Sequence, residues 1–156
     1  MLIKSVDNFE FDVGKLVNEY DSVILKNMKF FEIHPARTTR FKLVENHKEH
    51  ESIVNMPYTQ EVMKRVGEIY EYSDVVYRAV LPGKEYNWHI DYWSLFDHCY
   101  HIPLITNVNC NFIYVDTIHH MPVGKLYKCM TNKLHNFRND GTATRIHLTF
   151  ERMKNT

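Results

Sequence analysis

The feature that most constrains this chain is a change of sequence pattern at Asp74. From there on, short apolar runs alternate with polar residues, and turn-forming residues separate most of the runs. The pattern predicts strands at residues 75–81, 86–91, 100–106, 111–115, 118–122, 125–130, 134–137 and 145–150. Short strands spaced by roughly 8–12 residues are typical of a β-sandwich or a β-barrel.

The first half of the chain carries helical periodicity instead. Residues 11–25 place apolar side chains at helical spacings, with Asp12 as the expected N-cap. A second amphipathic helix is predicted at residues 59–72, with Thr59 as its N-cap. Residues 40–43 are predicted to form a strand. Helices that precede a continuous run of strands indicate an α+β fold, mainly β, with the helices packed on one sheet.

No repeat, linker or low-complexity tract interrupts the sequence. A single domain is therefore predicted over residues 1–156. It divides into a mixed helical part at residues 1–73 and a β core at residues 74–151.

The composition argues against several classes of function. Lys and Arg number 19 and Asp and Glu number 19, so no net positive field favours binding to nucleic acid or to an anionic membrane. The longest apolar runs are too short for a membrane span, and the first residues lack a signal-peptide hydrophobic region. The cysteines are Cys99, Cys110 and Cys129, and this scattered, odd set favours reduced thiols. The expected location is therefore cytoplasmic.

Histidine points to where the chemistry lies, because most of the ten histidines fall in the second half. His89 and Asp91 are two residues apart in a predicted strand, so their side chains should project from the same face. His135 could complete a set of two histidines and one carboxylate, which holds Fe(II) and leaves positions open for other ligands. Alone, the His-x-Asp pair is a weak signal, and a surface histidine beside a solvated aspartate is the alternative.

Arg145 follows His135 by ten residues and suits a buried, bidentate contact with a carboxylate. If the two segments form a hairpin, a two-residue turn would pair His135 with Ile146 and put Arg145 on the opposite face. A three-residue loop with Gly141 in a left-handed conformation would pair His135 with Arg145 instead. The predicted site requires the longer loop.

Four ordered motifs together carry a family resemblance. They are Arg78-Ala-Val-Leu-Pro82-Gly83 with His89-Ile-Asp91, His101-Ile-Pro103-Leu, His135-x3-Asn139, and Arg145-Ile-His147-Leu. Over residues 75–151 they resemble the aspartyl/asparaginyl β-hydroxylase-like branch of the Fe(II)/2-oxoglutarate-dependent dioxygenases. The resemblance implies a double-stranded β-helix, which is a jelly-roll, cupin-like fold.

The resemblance also implies roles for individual residues. His89, Asp91 and His135 would be the iron ligands, and Arg145 would anchor 2-oxoglutarate. The family often has an Arg-x-His motif that helps to hold the co-substrate carboxylates, and here His101 matches the histidine.

The arginine of that motif is replaced by Cys99 in this chain. Arg78 falls where relatives have a small polar contact with the co-substrate. We hypothesise that Arg78 supplies the guanidinium that position 99 lacks. His147 should share the inward face of Arg145 and take a hydrogen-bonding role.

The predicted function is therefore that of an oxygenase that uses Fe(II), 2-oxoglutarate and O2. It would hydroxylate an unactivated C–H bond of an amino-acid-like or peptide substrate, which Arg37 and Arg40 could contact if it is anionic. One alternative is a non-catalytic jelly-roll module, which the replacement at Cys99 keeps open. Another is a cupin-type metal enzyme that does not use 2-oxoglutarate, for which Arg145 would be dispensable. The position hydroxylated and the oligomeric state are not predicted.

Overall fold

Two antiparallel sheets face each other in the computed structural model, which describes residues 1–26, 32–34 and 38–154. The strands are β1 (Ile3–Ser5), β2 (Glu32–His34), β3 (Thr38–Glu45), β4 (Lys48–Glu49), β5 (Asp74–Val80), β6 (Lys84–Glu85), β7 (His98–Ile105), β8 (Cys110–Tyr114), β9 (Ile118–His119), β10 (Tyr127–Met130), β11 (His135–Asn139) and β12 (Arg145–Glu151). The larger sheet has the order β1-β10-β7-β12-β5-β3-β2, with β4 paired to β3, and the smaller has the order β6-β11-β8-β9. This arrangement confirms the predicted jelly roll.

Alternation along β12 explains why the sheets stack as they do. Ile146, Leu148 and Phe150 belong to a core that the larger sheet shares with the helices. The residues between them face the smaller sheet, where a second core surrounds Phe112 and Phe137. The polar side chains of β12 are therefore enclosed between the two sheets.

The first helix begins where the sequence predicted. Asp12 is its N-cap, because the Asp12 side chain accepts a hydrogen bond from Lys15 N at 3.2 Å. The single helix predicted at residues 11–25 is an α-helix, α1 (Val13–Glu19), that continues as a short π-helix, Tyr20–Ile24.

The second helix, α2 (Pro57–Gly67), starts earlier than predicted, and Thr59 is not its N-cap. Proline is favoured at the first helical position, and Met56 precedes it as the capping residue. Thr59 lies inside the first turn, where its hydroxyl donates to Glu19. Within the described ranges, no helix is both long enough and apolar enough to cross a bilayer.

The hairpin predicted around Gly141 is wrong. β11 belongs to the smaller sheet and β12 to the larger one, so His135 and Arg145 are not strand partners. The Asn139 side chain fixes this connection by donating to the carbonyl oxygens of Val80 and Ala143 at 2.9 and 2.8 Å.

The left-handed conformation predicted for Gly141 is wrong as well. The described glycines with positive φ are Gly83 and Gly124. A Cβ at Gly141 would lie 2.6 Å from the side chain of Asn107, which would have to move to accommodate it.

Candidate metal centre and co-substrate cavity

Three side chains predicted as metal ligands meet beside a cavity between the sheets. Candidate ligand atoms of His89, Asp91 and His135 lie within 4.8 Å of one another. Oδ1 of Asp91 is 3.2 Å from Nε2 of His89 and 3.8 Å from Nε2 of His135. The structure therefore brings this predicted set together.

The backbone fixes which nitrogen of each imidazole faces the meeting point. Nδ1 of His89 lies 2.6 Å from the carbonyl oxygen of Asn87, and Nδ1 of His135 lies 2.6 Å from that of Lys133. Because a carbonyl oxygen only accepts, each Nδ1 carries a hydrogen, and each Nε2 presents a lone pair when its ring is neutral. Burial lowers the pKa of His135 and so favours its neutral ring.

The carboxylate in this group has no donor of its own. Oδ1 of Asp91 is buried and has no hydrogen-bond partner among the described residues. It faces Nε2 of both imidazoles, and with neutral rings this arrangement is repulsive unless a cation lies between the three atoms. Two imidazoles and one carboxylate form the ligand set of many non-haem Fe(II) sites, so these residues fit a bound iron ion.

The segment that carries His89 and Asp91 is not the regular strand predicted at residues 86–91. His89 exchanges two backbone hydrogen bonds with His135, both of 3.0 Å, in an isolated bridge. Two residues later the backbone has changed partner, and Asp91 N donates to Thr131 O. This departure from β11 turns the carboxylate toward both imidazoles.

Aromatic rings hold the two imidazoles in place. Phe112 stacks on His135, with ring centroids 5.0 Å apart and planes inclined by 16°. The Tyr86 ring lies 4.6 Å from that of His89 and 5.2 Å from that of Phe137. These contacts restrict the orientation of both imidazoles.

Arg145 lies deeper between the sheets. It is 4% exposed, and its Nη1 has no hydrogen-bond partner among the described residues. Its Nη2 donates to Nδ1 of His147 at 2.9 Å, and its guanidinium carbon lies 5.4 Å from the centre of the Phe137 ring. Burial lowers the pKa of Arg145 to about 10, so the group remains charged at neutral pH. A buried cation with an unused donor fits an anionic ligand.

His101 reaches the cavity wall, but both of its ring nitrogens are engaged. Nδ1 lies 3.1 Å from Nδ1 of His147, and Nε2 lies 3.2 Å from Sγ of Cys99. Because His147 Nδ1 accepts from Arg145, His101 must donate to it and must accept from the thiol. Burial lowers the pKa of both histidines and raises that of the Cys99 thiol, in agreement with this arrangement. Contact between His101 and a co-substrate carboxylate stays a prediction.

Arg78 also lines the cavity, and it has a partner that sequence reasoning missed. Its Nε and Nη2 donate to Oε1 and Oε2 of Glu151 at 2.7 and 3.0 Å. The strand predicted at residues 145–150 stopped one residue short of this glutamate. The sequence did contain a signal for this partner: Glu151 lies an even number of residues after Arg145, so the two side chains project from the same face of the strand.

The cavity has a volume of about 310 Å³, at the lower end of the roughly 300–1,000 Å³ range of small-molecule sites. Its wall contains the three candidate ligands, Arg78 and His101. Arg40 lines it as well, whereas Arg37 lies outside the described residues.

Solved structures with a similar fold include a 2-oxoglutarate (2OG)-Fe(II) oxygenase and prolyl hydroxylases. An oxidoreductase of the 2OG-Fe(II) oxygenase family from Burkholderia pseudomallei matches with a TM-score of 0.69 and 12% identity, over 96% of this chain and 84% of that chain. A viral collagen prolyl hydroxylase from Paramecium Bursaria Chlorella virus-1, solved as a 2OG complex, matches with a TM-score of 0.61 and 15% identity, over 97% and 95%.

A third structure is a prolyl hydroxylase from Trichoplax adhaerens in complex with a peptide fragment of the hypoxia inducible factor oxygen degradation domain. It matches with a TM-score of 0.61 and 13% identity, over 97% of this chain and 83% of that chain. At these identities, the likenesses establish the fold. No curated protein matches the chain.

The fold is that of these oxygenase and hydroxylase structures, and the site brings together two histidines and one carboxylate. A family model described as Aspartyl/Asparaginyl beta-hydroxylase matches residues 11–154. The chain therefore belongs to the aspartyl/asparaginyl β-hydroxylase family, and it is a 2-oxoglutarate-dependent dioxygenase, as its motifs predicted.

Proposed function

We propose that this enzyme hydroxylates an unactivated C–H bond of an amino-acid-like or peptide substrate, with iron held by His89, Asp91 and His135. The observation that carries this proposal is the buried Oδ1 of Asp91, which has no hydrogen-bond partner among the described residues and faces Nε2 of both imidazoles. A structural ion pair would need a second proton on one Nε2, and burial, which lowers the pKa of His135, works against that proton there.

When bound, Fe(II) and 2-oxoglutarate supply the oxygen chemistry: O2 and 2-oxoglutarate are consumed, succinate and carbon dioxide are released, and the substrate gains a hydroxyl group. The protein binds and orients the reacting groups. The carbonyls of Asn87 and Lys133 hold the imidazoles with Nε2 toward the metal. Phe112 and Phe137 form an apolar part of the cavity wall and exclude water from it.

Arg145 is the proposed anchor of the distal carboxylate of 2-oxoglutarate. Its unused Nη1 and its lack of a carboxylate partner among the described residues support this role. Arg78 and His101 are proposed as further contacts of the co-substrate at the cavity wall.

The charges around the cavity support joint binding of metal and co-substrate. In the cavity wall, the three cations Arg40, Lys42 and Arg78 are balanced by the three carboxylates of Asp74, Asp91 and Glu151. A dication and a dianion together preserve this balance, whereas either one alone leaves two uncompensated charges in a poorly solvated space. Each should therefore strengthen the binding of the other.

The functional unit is proposed to be the single domain of residues 1–156, acting in the cytoplasm. Three free, buried cysteines, Cys99, Cys110 and Cys129, support a reducing compartment. A peptide substrate is supported by the Trichoplax adhaerens relative, which was solved with a peptide.

The test is an anaerobic titration of the apo-protein with Fe(II) and 2-oxoglutarate. We expect a weak visible charge-transfer band that requires both additions and disappears in His89→Ala. A band would justify a search for substrates by succinate release, with free amino acids and peptides compared. Metal binding without a band would favour a cupin-type enzyme that does not use 2-oxoglutarate. A folded protein that binds no metal would favour a non-catalytic module.

A further inference from the structure

The Arg78–Glu151 ion pair crosses the inner face of the larger sheet diagonally. The strand partner of Arg78 is His147, and the strand partner of Glu151 is Asp74. His147 and Glu151 are four positions apart on β12, a distance of about 13 Å along the strand. The arginine side chain is therefore directed along the sheet and not across it.

The Arg78 side chain points toward the end of the cavity at which the candidate metal ligand Asp91 lies. The segment after Asp91 is tied to that end of the sheet, because Asp91 N donates to Thr131 O and Ser94 forms a bridge with Met153. Glu151 lies two residues before Met153 and is 3% exposed. The glutamate thus holds the guanidinium near the ligands.

Glu151 is itself held firmly. Its Oε1 lies 3.0 Å from Oγ1 of Thr149, in addition to the contact with Arg78 Nε. The second oxygen, Oε2, accepts from Arg78 Nη2. Because the pair uses Nε and Nη2, the Nη1 edge of the guanidinium remains available to a ligand in the cavity that Arg78 lines.

The residue across the strand pair from Glu151 is small. Tyr100 pairs with Phe150, so the antiparallel register places Cys99 opposite Glu151, on the same face. Both residues line the cavity. Cys99 occupies less volume than most side chains, and the Arg78 guanidinium extends into this neighbourhood.

We propose that Glu151 is a positioning residue for co-substrate binding: it holds the Arg78 guanidinium beside Cys99, where the free edge contacts a carboxylate of 2-oxoglutarate. This inference rests on the proposed function. Arg78 then contacts the dianion from the cavity wall, whereas Arg145, the proposed anchor of the other carboxylate, lies deeper between the sheets. An arginine placed at position 99 would meet the same glutamate from the opposite strand and could take over the contact.

The test measures the dissociation constant of 2-oxoglutarate by anaerobic titration of the Fe(II) protein. Arg78→Ala should weaken 2-oxoglutarate binding by about tenfold or more, as expected for a lost charge-assisted hydrogen bond. Fe(II) binding without co-substrate should change little. Adding Cys99→Arg to Arg78→Ala should restore most of the affinity, and a further Glu151→Gln should remove that rescue.

Arg78→Ala leaves Glu151 buried without its partner, which could destabilise the fold. The double variant Arg78→Gln/Glu151→Gln controls for this effect, because it retains neutral hydrogen-bonding groups at both positions. This double variant should remain folded and lose the same affinity. Arg138→Gln is the matched control, because the Arg138–Asp140 pair, of 2.8 Å, is exposed. It should bind 2-oxoglutarate as the wild type does.

A purely structural ion pair would give a different result: lower thermal stability with unchanged 2-oxoglutarate affinity. That result, or a rescue by Cys99→Arg that persists without Glu151, overturns the inference. A wild-type protein that gives no co-substrate band would instead overturn the proposed function itself.

Discussion

Arg145 and His147 lie two positions apart on β12, and the arginine donates from Nη2 to the histidine Nδ1 at 2.9 Å. A guanidinium cannot accept a hydrogen bond, so this contact requires a lone pair at His147 Nδ1. His101 then has to donate to the same atom. One arginine thus determines the tautomers of two buried imidazoles, and burial, followed by the charge of Arg145, lowers the pKa of both.

The first prediction concerns acid stability. Burial lowers the pKa of His101 and of His147 well below the usual histidine value. As the pH falls below about 6.5, the unfolded chain takes up these protons and the native protein does not. The free energy of unfolding should therefore decrease by about 1.4 kcal/mol per pH unit for each of the two histidines. Urea unfolding between about pH 7 and pH 5 measures this slope.

The contribution of one histidine can be isolated with His147→Asn, which keeps an acceptor for Arg145 but does not titrate. The pH dependence of the free energy of unfolding should become shallower by about 1.4 kcal/mol per pH unit, which is the contribution of one proton. His119→Asn serves as the control, because His119 lies at the rim of the smaller sheet, hydrogen-bonded to Thr117. An unchanged slope in His147→Asn would contradict the assignment.

The second prediction separates stability from co-substrate binding. Burial of the Arg145 charge lowers its pKa to about 10. At neutral pH this shift corresponds to a decrease of about 3 kcal/mol in the free energy of unfolding. Arg145→Met should raise the free energy of unfolding of the apo-protein by roughly 1–3 kcal/mol. It should also abolish the stabilisation that Fe(II) with 2-oxoglutarate gives to the wild type. Thermal melts with and without both ligands provide the measurement, and a less stable apo-variant would speak against an unpaired charge.

The third prediction concerns the metal ligands. Replacement of His135 by alanine removes a ligand and leaves Asp91 with one imidazole, so Fe(II) affinity should fall by about 100-fold or more. Turnover should be lost. Anaerobic metal titration checks the affinity, with His119→Ala as a control. Near wild-type turnover in His135→Ala would refute the ligand assignment.

The fourth prediction concerns the junction of the two helices. The carboxylate of Glu19, at the end of α1, accepts from Tyr58 N and Thr59 N at 2.7 and 2.8 Å. These amides belong to the first turn of α2, where a negative charge is favourable. Glu19→Ala should lower the free energy of unfolding by about 1–3 kcal/mol, with the 2-oxoglutarate affinity unchanged. Urea unfolding tests this, and the exposed Glu68→Ala should have a much smaller effect.

β12 illustrates how much of the fold could be predicted from the sequence. Its alternation predicted a strand at residues 145–150, and the observed strand is Arg145–Glu151. Its neighbours were not predictable from the same pattern. Turn chemistry at residues 139–141 suggested a hairpin, but the chain crosses there from one sheet to the other. Which strands pair depends on contacts between distant parts of the chain, and local periodicity does not contain them.

The candidate site also contains residues that could be predicted from the sequence and residues that could not. His89, Asp91 and His135 were predictable because their residue types and order carry the chemistry. The Arg78–Glu151 pair was not, since it joins residues 73 positions apart through the pairing of β5 with β12. The bend that directs Asp91 toward the imidazoles was also missed, because a continuous strand satisfies the local pattern equally well.

The position of β12 in the larger sheet has a consequence for the synthesis of the protein. The last strand along the chain lies between β7 and β5, both of which leave the ribosome earlier. Until residue 151 has been translated and released, the sheet consists of two halves without the strand that joins them. A nascent chain that stops short of β12 therefore contains all three candidate iron ligands but lacks the strand that carries Arg145 and Glu151.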